Sequence, residues 1–201
     1  MDQKKFLRER LEEACAIGAG IMDQIHIISE IVTALEAVRW NGGRLFICGV
    51  GGGAGNGTHF AGDVFKSCEI QTICLTDNVP TLTAFTNDEG WNEVFVQQLK
   101  VWNLTKFDAL FVFSVGGGDA QRHISANIVK AIDHAKDRLA KVLGIVGKEN
   151  GYTAQNGDSV VVIPNFNPDF MTTHTEGWQG YLSHFIVECL RKRGAKWETT
   201  K

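Results

Sequence analysis

His59 and Asp63 stand four residues apart in the stretch Gly57-Thr58-His59-Phe60-Ala61-Gly62-Asp63. On a helix that spacing places both on one face, one turn apart. An imidazole and a carboxylate so arranged can chelate a divalent metal or work as an acid–base pair. An ordinary surface pair has the same spacing, so support must come from elsewhere. A second set of residues lies near the C-terminus, where Thr172-Thr173-His174-Thr175-Glu176 opens an apolar-periodic segment and His184 comes eight positions later. Taken alone, His184 reads as a core histidine and Glu176 as a first-turn carboxylate facing the helix dipole. Together, four residues of metal-ligand character on two helices argue for a shared centre. Geometry restricts it: the eight positions from Glu176 to His184 span about 12 Å and leave the side chains about 80° apart. One straight helix cannot offer both to one metal. The helix start is distorted, a second subunit contributes, or the two residues share no site.

Two glycine runs supply the other half of a site. Gly49-Val50-Gly51-Gly52-Gly53-Ala54-Gly55-Asn56-Gly57 comes directly after the apolar run Arg44-Leu45-Phe46-Ile47-Cys48, and Ser114-Val115-Gly116-Gly117-Gly118-Asp119 directly after Ala109-Leu110-Phe111-Val112-Phe113. Glycine lets backbone N–H groups converge on an anion, and the next helix adds partial positive charge. Two such loops point to one ligand gripped at the carboxyl edge of a parallel sheet. Candidate ligand contacts are therefore Gly51, Gly52 and Gly53 in the first loop, and Ser114, Gly116, Gly117, Gly118 and Asp119 in the second. Asn87-Asp88-Glu89-Gly90 reads as a turn between two helical pieces that can hold sugar hydroxyls through Asn87 and Asp88, or simply as a turn with its usual residues. The first loop also fits a dinucleotide fingerprint with Asp77 as the ribose acid, but that reading uses neither the second loop nor the His–Asp pair.

The elements that must hold these residues are set by periodicity. Positions 3–39 repeat apolar residues at three and four spacing, with a break expected near 23–28; this arm packs on its own sheet or on another subunit. Strands are expected at 44–48, 70–75, 108–114, 141–146 and 159–163. Helices are expected near 56–67, 80–86, 91–103, 124–136, 152–155 and 172–192. Continuous apolar strands alternating with helices specify a three-layer α/β/α sandwich on a five-stranded parallel sheet. The 201 residues are expected to form one domain, with 1–40 as the helical arm and 41–201 as the sandwich. A net charge of −3 speaks against phosphate-neutralising nucleic-acid binding, and no apolar run reaches membrane-spanning length. The short cluster Arg191-Lys192-Arg193 reads as a solvated helix end. Five cysteines without a Cys-x-x-Cys pair suit a reduced, cytoplasmic protein, with Cys48 and Cys74 buried in strands.

These residues together resemble the sugar isomerase (SIS) domain family, and within it the phosphoheptose isomerases. The matching pieces are Cys48-Gly49-x-Gly51-Gly52 with His59-Phe60-Ala61, Thr86-Asn87-Asp88-x-Gly90-Trp91-Asn92, and Ser114 with its loop. Ser125-Ala126-Asn127-Ile128-Val129-Lys130-Ala131-Ile132, Gly144-Ile145-Val146-Gly147-Lys148 and the Glu176-to-His184 spacing complete them. The resemblance implies a flavodoxin-like fold and isomerisation of sedoheptulose 7-phosphate to a manno-heptose 7-phosphate. It implies a zinc ion held by His59, Asp63, Glu176 and His184, catalysis by Asp63 and His184, and a homotetramer with sites at subunit interfaces. It adds Ser125 to the substrate contacts. The chain departs from the family's loops: Val50 and Gly53 replace Asn and Ser in the first. The second, 114–119, has lost hydroxyls and leads into an insertion at 120–124, where Arg122, His123 or Ser125 can compensate. Some SIS proteins bind a phosphosugar or a replication initiator without catalysis, and this is the alternative function.

Overall fold

The computed structural model describes residues 2–192; Arg193 of the basic cluster lies outside them. Helix α1 (Gln3–Met22) is capped by Asp2, whose carboxylate accepts from Lys4 N at 2.9 Å. Helix α2 (Ile25–Trp40) comes after a 66° bend, and the break falls at 23–24, inside the expected window. Gln24 gives the break a purpose. Its amide donates to Val162 O at 2.7 Å and accepts from Val162 N at 2.9 Å, which satisfies backbone groups on the last strand. Ile17, Ile21, Ile31, Val32, Leu35 and Val38 are buried in the core, so within one chain the arm packs largely on its own sheet. Leu7, Leu11 and Ile25, counted on the apolar face, remain exposed.

Next come β1 (Arg44–Gly49), α3 (Gly52–Cys68), β2 (Gln71–Cys74), α4 (Val79–Asp88), α5 (Val94–Val101), β3 (Ala109–Ser114) and α6 (Ala126–Asp137). After them come β4 (Lys141–Val146), α7 (Tyr152–Asn156), β5 (Ser159–Val162), a 3₁₀ turn at Pro168–Phe170, and α8 (Met171–Arg191). Among the described residues every strand pairing in the sheet is parallel, and the order is β2-β1-β3-β4-β5. Alternation sorts the side chains. Leu45, Ile47, Phe111 and Phe113 face the layer of α1, α2, α3 and α8, whereas Phe46, Cys48, Leu110 and Val112 face α5 and α6. Cys48 and Cys74 are buried as expected, and burial pushes both thiols up.

The order reverses between β1 and β3, because successive crossovers leave β1 in opposite directions. A crevice opens there at the strands' carboxyl ends, the place where ligands bind in open parallel sheets. Both glycine runs leave the sheet at this point. At the opposite edge, Asp108 is only 2 % exposed and lies 2.8 Å from the Arg44 guanidinium. Burial alone would raise its carboxyl; hydrogen bonds from Arg44 and Thr105 outweigh that and hold it below the usual carboxylate value.

Two expectations need correction. The first glycine run is mainly helix, since α3 begins at Gly52 rather than near 56. The cause is close packing: a Cβ on Gly53 would sit 2.6 Å from the Phe113 carbonyl oxygen, and one on Gly49 would sit 2.5 Å from Gly53 O. These glycines let α3 start directly against β3. Second, Asn87 and Asp88 are not in a turn but end α4. Asn78 caps that helix through Thr81 N, and Thr83 and Thr86 hydroxyls bond back to Val79 O and Leu82 O. The turn comes later, at Gly90, with φ +90°.

Candidate active site

Helices α3 and α8 run side by side in the same direction, as paired positions show. Glu176 meets Gly52, the Asn56 side chain meets the Glu176 carbonyl and Gln179, and His184 meets Asp63. A polar thread locks the pair. Asn56 Nδ2 donates to Glu176 O at 2.9 Å and to Gln179 Oε1 at 3.2 Å; Gln179 Nε2 donates to Ile145 O at 2.9 Å on β4. Sequence reading missed Asn56 and Gln179, since nothing in their spacing marks a contact between distant helices.

This packing brings His59, Asp63 and His184 together. His59 Nε2 lies 3.4 Å and His184 Nδ1 3.6 Å from Asp63 Oδ2. The imidazoles meet edge to face with centroids 5.1 Å apart. One ligand atom from each residue falls within 4.8 Å of the others. Ligands about 2.0–2.1 Å from a tetrahedral zinc lie roughly 3.3–3.5 Å apart; the two contacts to Asp63 come near that spacing, and two imidazoles with one carboxylate are a donor set that suits such an ion. Their side chains are 62 %, 53 % and 34 % exposed for His59, His184 and Asp63.

Glu176, expected as the fourth ligand, stands apart from this group within one chain. Helix α8 begins at Met171 and continues past Glu176, so no loosened start carries Glu176 round to His184. Its carboxylate packs on the first turn of α3, where a Cβ on Gly52 would lie 2.2 Å from Oε2. A carboxylate at a helix N-terminus is favoured by the dipole. It also occupies the place where the first glycine run was expected to hold an anion.

The second loop keeps backbone N–H donors uncommitted. Gly117 and Gly118 adopt φ +71° and +85°. Their carbonyls are taken by Thr153 N and Tyr152 N at 2.9 and 2.8 Å, and Gly117 N donates to Ser114 Oγ at 3.0 Å. Among the described residues the N–H groups of Gly116 and Gly118 have no protein acceptor. Ser125, N-cap of α6, has φ +49° and makes no capping bond, so its hydroxyl stays uncommitted. Asn127, in the first turn of α6, is fully buried and its Nδ2 has no partner; its place in the sequence marks no role for it. Asp119 turns its carboxylate onto its own loop. Its carboxylate accepts from Gln121 N and Arg122 N at 3.0 and 2.9 Å. Asn87 and Asp88 are exposed and bond to each other at 2.8 Å. Asp77 accepts from the Thr58 hydroxyl. A separate cleft of about 840 Å³ opens beyond β4 and β5, lined by Lys148, Asn150, Gln155, Asn165 and Met171.

Comparison with known proteins agrees with this architecture. The SIS domain family matches residues 15–147, which takes in both glycine loops, His59 and Asp63 but not α8. A phosphoheptose isomerase from Helicobacter pylori (strain ATCC 700392 / 26695) is 27% identical over 201 residues, covering 96% of this chain and 95% of its own. The lincomycin biosynthesis protein LmbN of Streptomyces lincolnensis is 33% identical over 151 residues, 72% of this chain; the match spans 54% of that relative's length, about half. The solved structure of a phosphoheptose isomerase from Francisella tularensis superposes with TM-score 0.83 at 21% identity, covering 94% of this chain and 98% of that one. The two loops at the sheet's switch point and the match across most of the chain lead to one conclusion: this chain belongs to the SIS domain family.

Proposed function

We propose that the chain is an aldose–ketose isomerase of a phosphorylated sugar, with sedoheptulose 7-phosphate and a manno-heptose 7-phosphate as the pair that its phosphoheptose isomerase relatives suggest. The observation that carries the reading is the His59–Asp63–His184 group on α3 and α8, reached from the same sheet edge as an anion-receptive glycine loop. Isomerisation moves a proton between adjacent carbons through an enediol. It requires a base at carbon and an acid–base group for the oxygens. Asp63 and His184 are the two groups, 3.6 Å apart, so both stand at one reacting centre. His59, Asp63 and His184 would hold a zinc ion, which when bound would supply electrostatic stabilisation of charge on the substrate oxygens.

The phosphate belongs at the second loop. Glu176 occupies the start of α3, whereas Gly116 N, Gly118 N and the Ser125 hydroxyl at the start of α6 are uncommitted. The openness of His59 and His184, beside exposed Phe65, Tyr181 and Phe185, supports a tetramer whose interfaces cover the site, and a neighbouring copy can then bring in Glu176. Incubation with a panel of ketose and aldose phosphates in heavy water tests the reading by solvent exchange at the carbon-bound proton. Asp63→Asn and His184→Ala should each abolish turnover and leave the fold intact; near-normal activity in either removes that residue from the chemistry. Zinc bound in stoichiometric amount separates the enzyme from a sugar-sensing adaptor.

A further inference from the structure

The glycine loop proposed to take the phosphate holds no cation of its own, and its Ser114 hydroxyl already accepts from Gly117 N. The chain leaves this loop through a built hairpin. Asp119 and Ile124 exchange both backbone hydrogen bonds, at 2.9 and 3.1 Å. Asp119 Oδ1 accepts from the N–H groups of Gln121 and Arg122 across the turn. His123 and Ser125 both sit in the left-handed region, at φ +55° and +49°. Non-glycine residues stay there only where the surroundings over-determine them, and such positions cluster at ligand clamps and switch regions. Positions 120–124 are all exposed, so burial of the tip does not explain the geometry.

We infer that this hairpin is the chain's phosphate clamp, with Arg122 as the residue that selects a phosphorylated substrate. The inference deepens the isomerase reading and rests on it. Arg122 is 80 % exposed, and its Nε lies 3.8 Å from Asp119 Oδ2. That contact uses one edge of the guanidinium and leaves its terminal N–H groups to reach an anion. Asp119, directly after Gly118, thereby has a cation beside its carboxylate that offsets its charge. Lys130, on α6, is paired with Glu93. Lys148 lines the cleft beyond β4 and β5 and serves as the comparison. A planar fork of donors matches phosphate oxygens better than an ammonium does.

The test measures KM for the sugar phosphate, kcat, and the competitive inhibition constant of inorganic phosphate. It uses the full chain and its Arg122→Ala, Arg122→Lys and Lys148→Ala variants. Losing one charge-assisted contact should raise KM and the phosphate inhibition constant about 10- to 100-fold in Arg122→Ala, with kcat within a few-fold of wild type. Arg122→Lys should recover part of the loss. Unchanged constants in Arg122→Ala, or the whole effect appearing in Lys148→Ala, overturn the assignment. A wild-type chain that isomerises no sugar phosphate removes the isomerase reading instead, and direct titration with inorganic phosphate then decides the hairpin alone.

Discussion

Replacing Gly52 by alanine separates the role of Glu176 from the stability of the fold. The new Cβ would lie 2.2 Å from Glu176 Oε2, 2.3 Å from Cδ and 2.6 Å from Oε1. The carboxylate must move by roughly an ångström to restore contact distance. It can do so, because it ends a flexible side chain. Alanine in an early helical position gains up to about 1 kcal/mol over glycine. Displacing a carboxylate from the helix N-terminus costs about 0.3–1 kcal/mol. The two nearly cancel, so the melting temperature should stay within about 4 °C of wild type. Gly53→Ala is the contrast. Its Cβ would meet the Phe113 carbonyl at 2.6 Å, on a central strand that cannot yield. Overpacking there costs about 1–3 kcal/mol, or several degrees of melting temperature. Thermal unfolding and steady-state turnover of both variants form the assay. Gly52→Ala should fold normally yet lose at least about tenfold in kcat/KM, a loss of about 1.4 kcal/mol in transition-state stabilisation. Full activity in Gly52→Ala, or destabilisation equal to that of Gly53→Ala, would refute the idea that Gly52 exists to seat a working Glu176.

The same geometry sets other expectations. Chelation should remove zinc and turnover together, and restoring zinc should restore both in wild type but not in His59→Ala, as metal analysis and activity would report. Asp108→Ala should destabilise by about 3 kcal/mol, because it strands the Arg44 guanidinium at a shielded site, measured by denaturant unfolding. Because the folded-state carboxyl of Asp108 titrates below its unfolded value near 3.9, its contribution is complete above about pH 4–5 and fades as pH falls through the folded value. Asp108→Asn should therefore flatten the acid limb of a stability–pH profile, and an unchanged limb would count against the assignment. Gln24→Ala should cost about 1–2 kcal/mol by leaving Val162 N and O without their side-chain partners.

How far the chain's behaviour is written in its residue order differs by level. Strand and helix succession, the parallel sheet and the break near Gln24 are local matters. Continuous apolar strands, helical periodicity and glycine stops are properties of a few consecutive residues, and they report directly on burial. The His59–Asp63 pair was legible for the same reason, since four-residue spacing puts both side chains on one face of a helix. The meeting of Asp63 with His184 is of another kind. It depends on the parallel alignment of α3 and α8, set by Asn56, Gln179 and the glycines that let α3 start against β3. No spacing rule reaches across 120 positions. The same holds for Asp119, whose carboxylate turned inward on its own hairpin, and for Glu176, drawn to a helix start by an interaction between segments distant in sequence. Local order thus settles which elements exist, because backbone sterics and side-chain burial act over a turn or a pleat; only packing of the whole chain settles which charges end up beside one another.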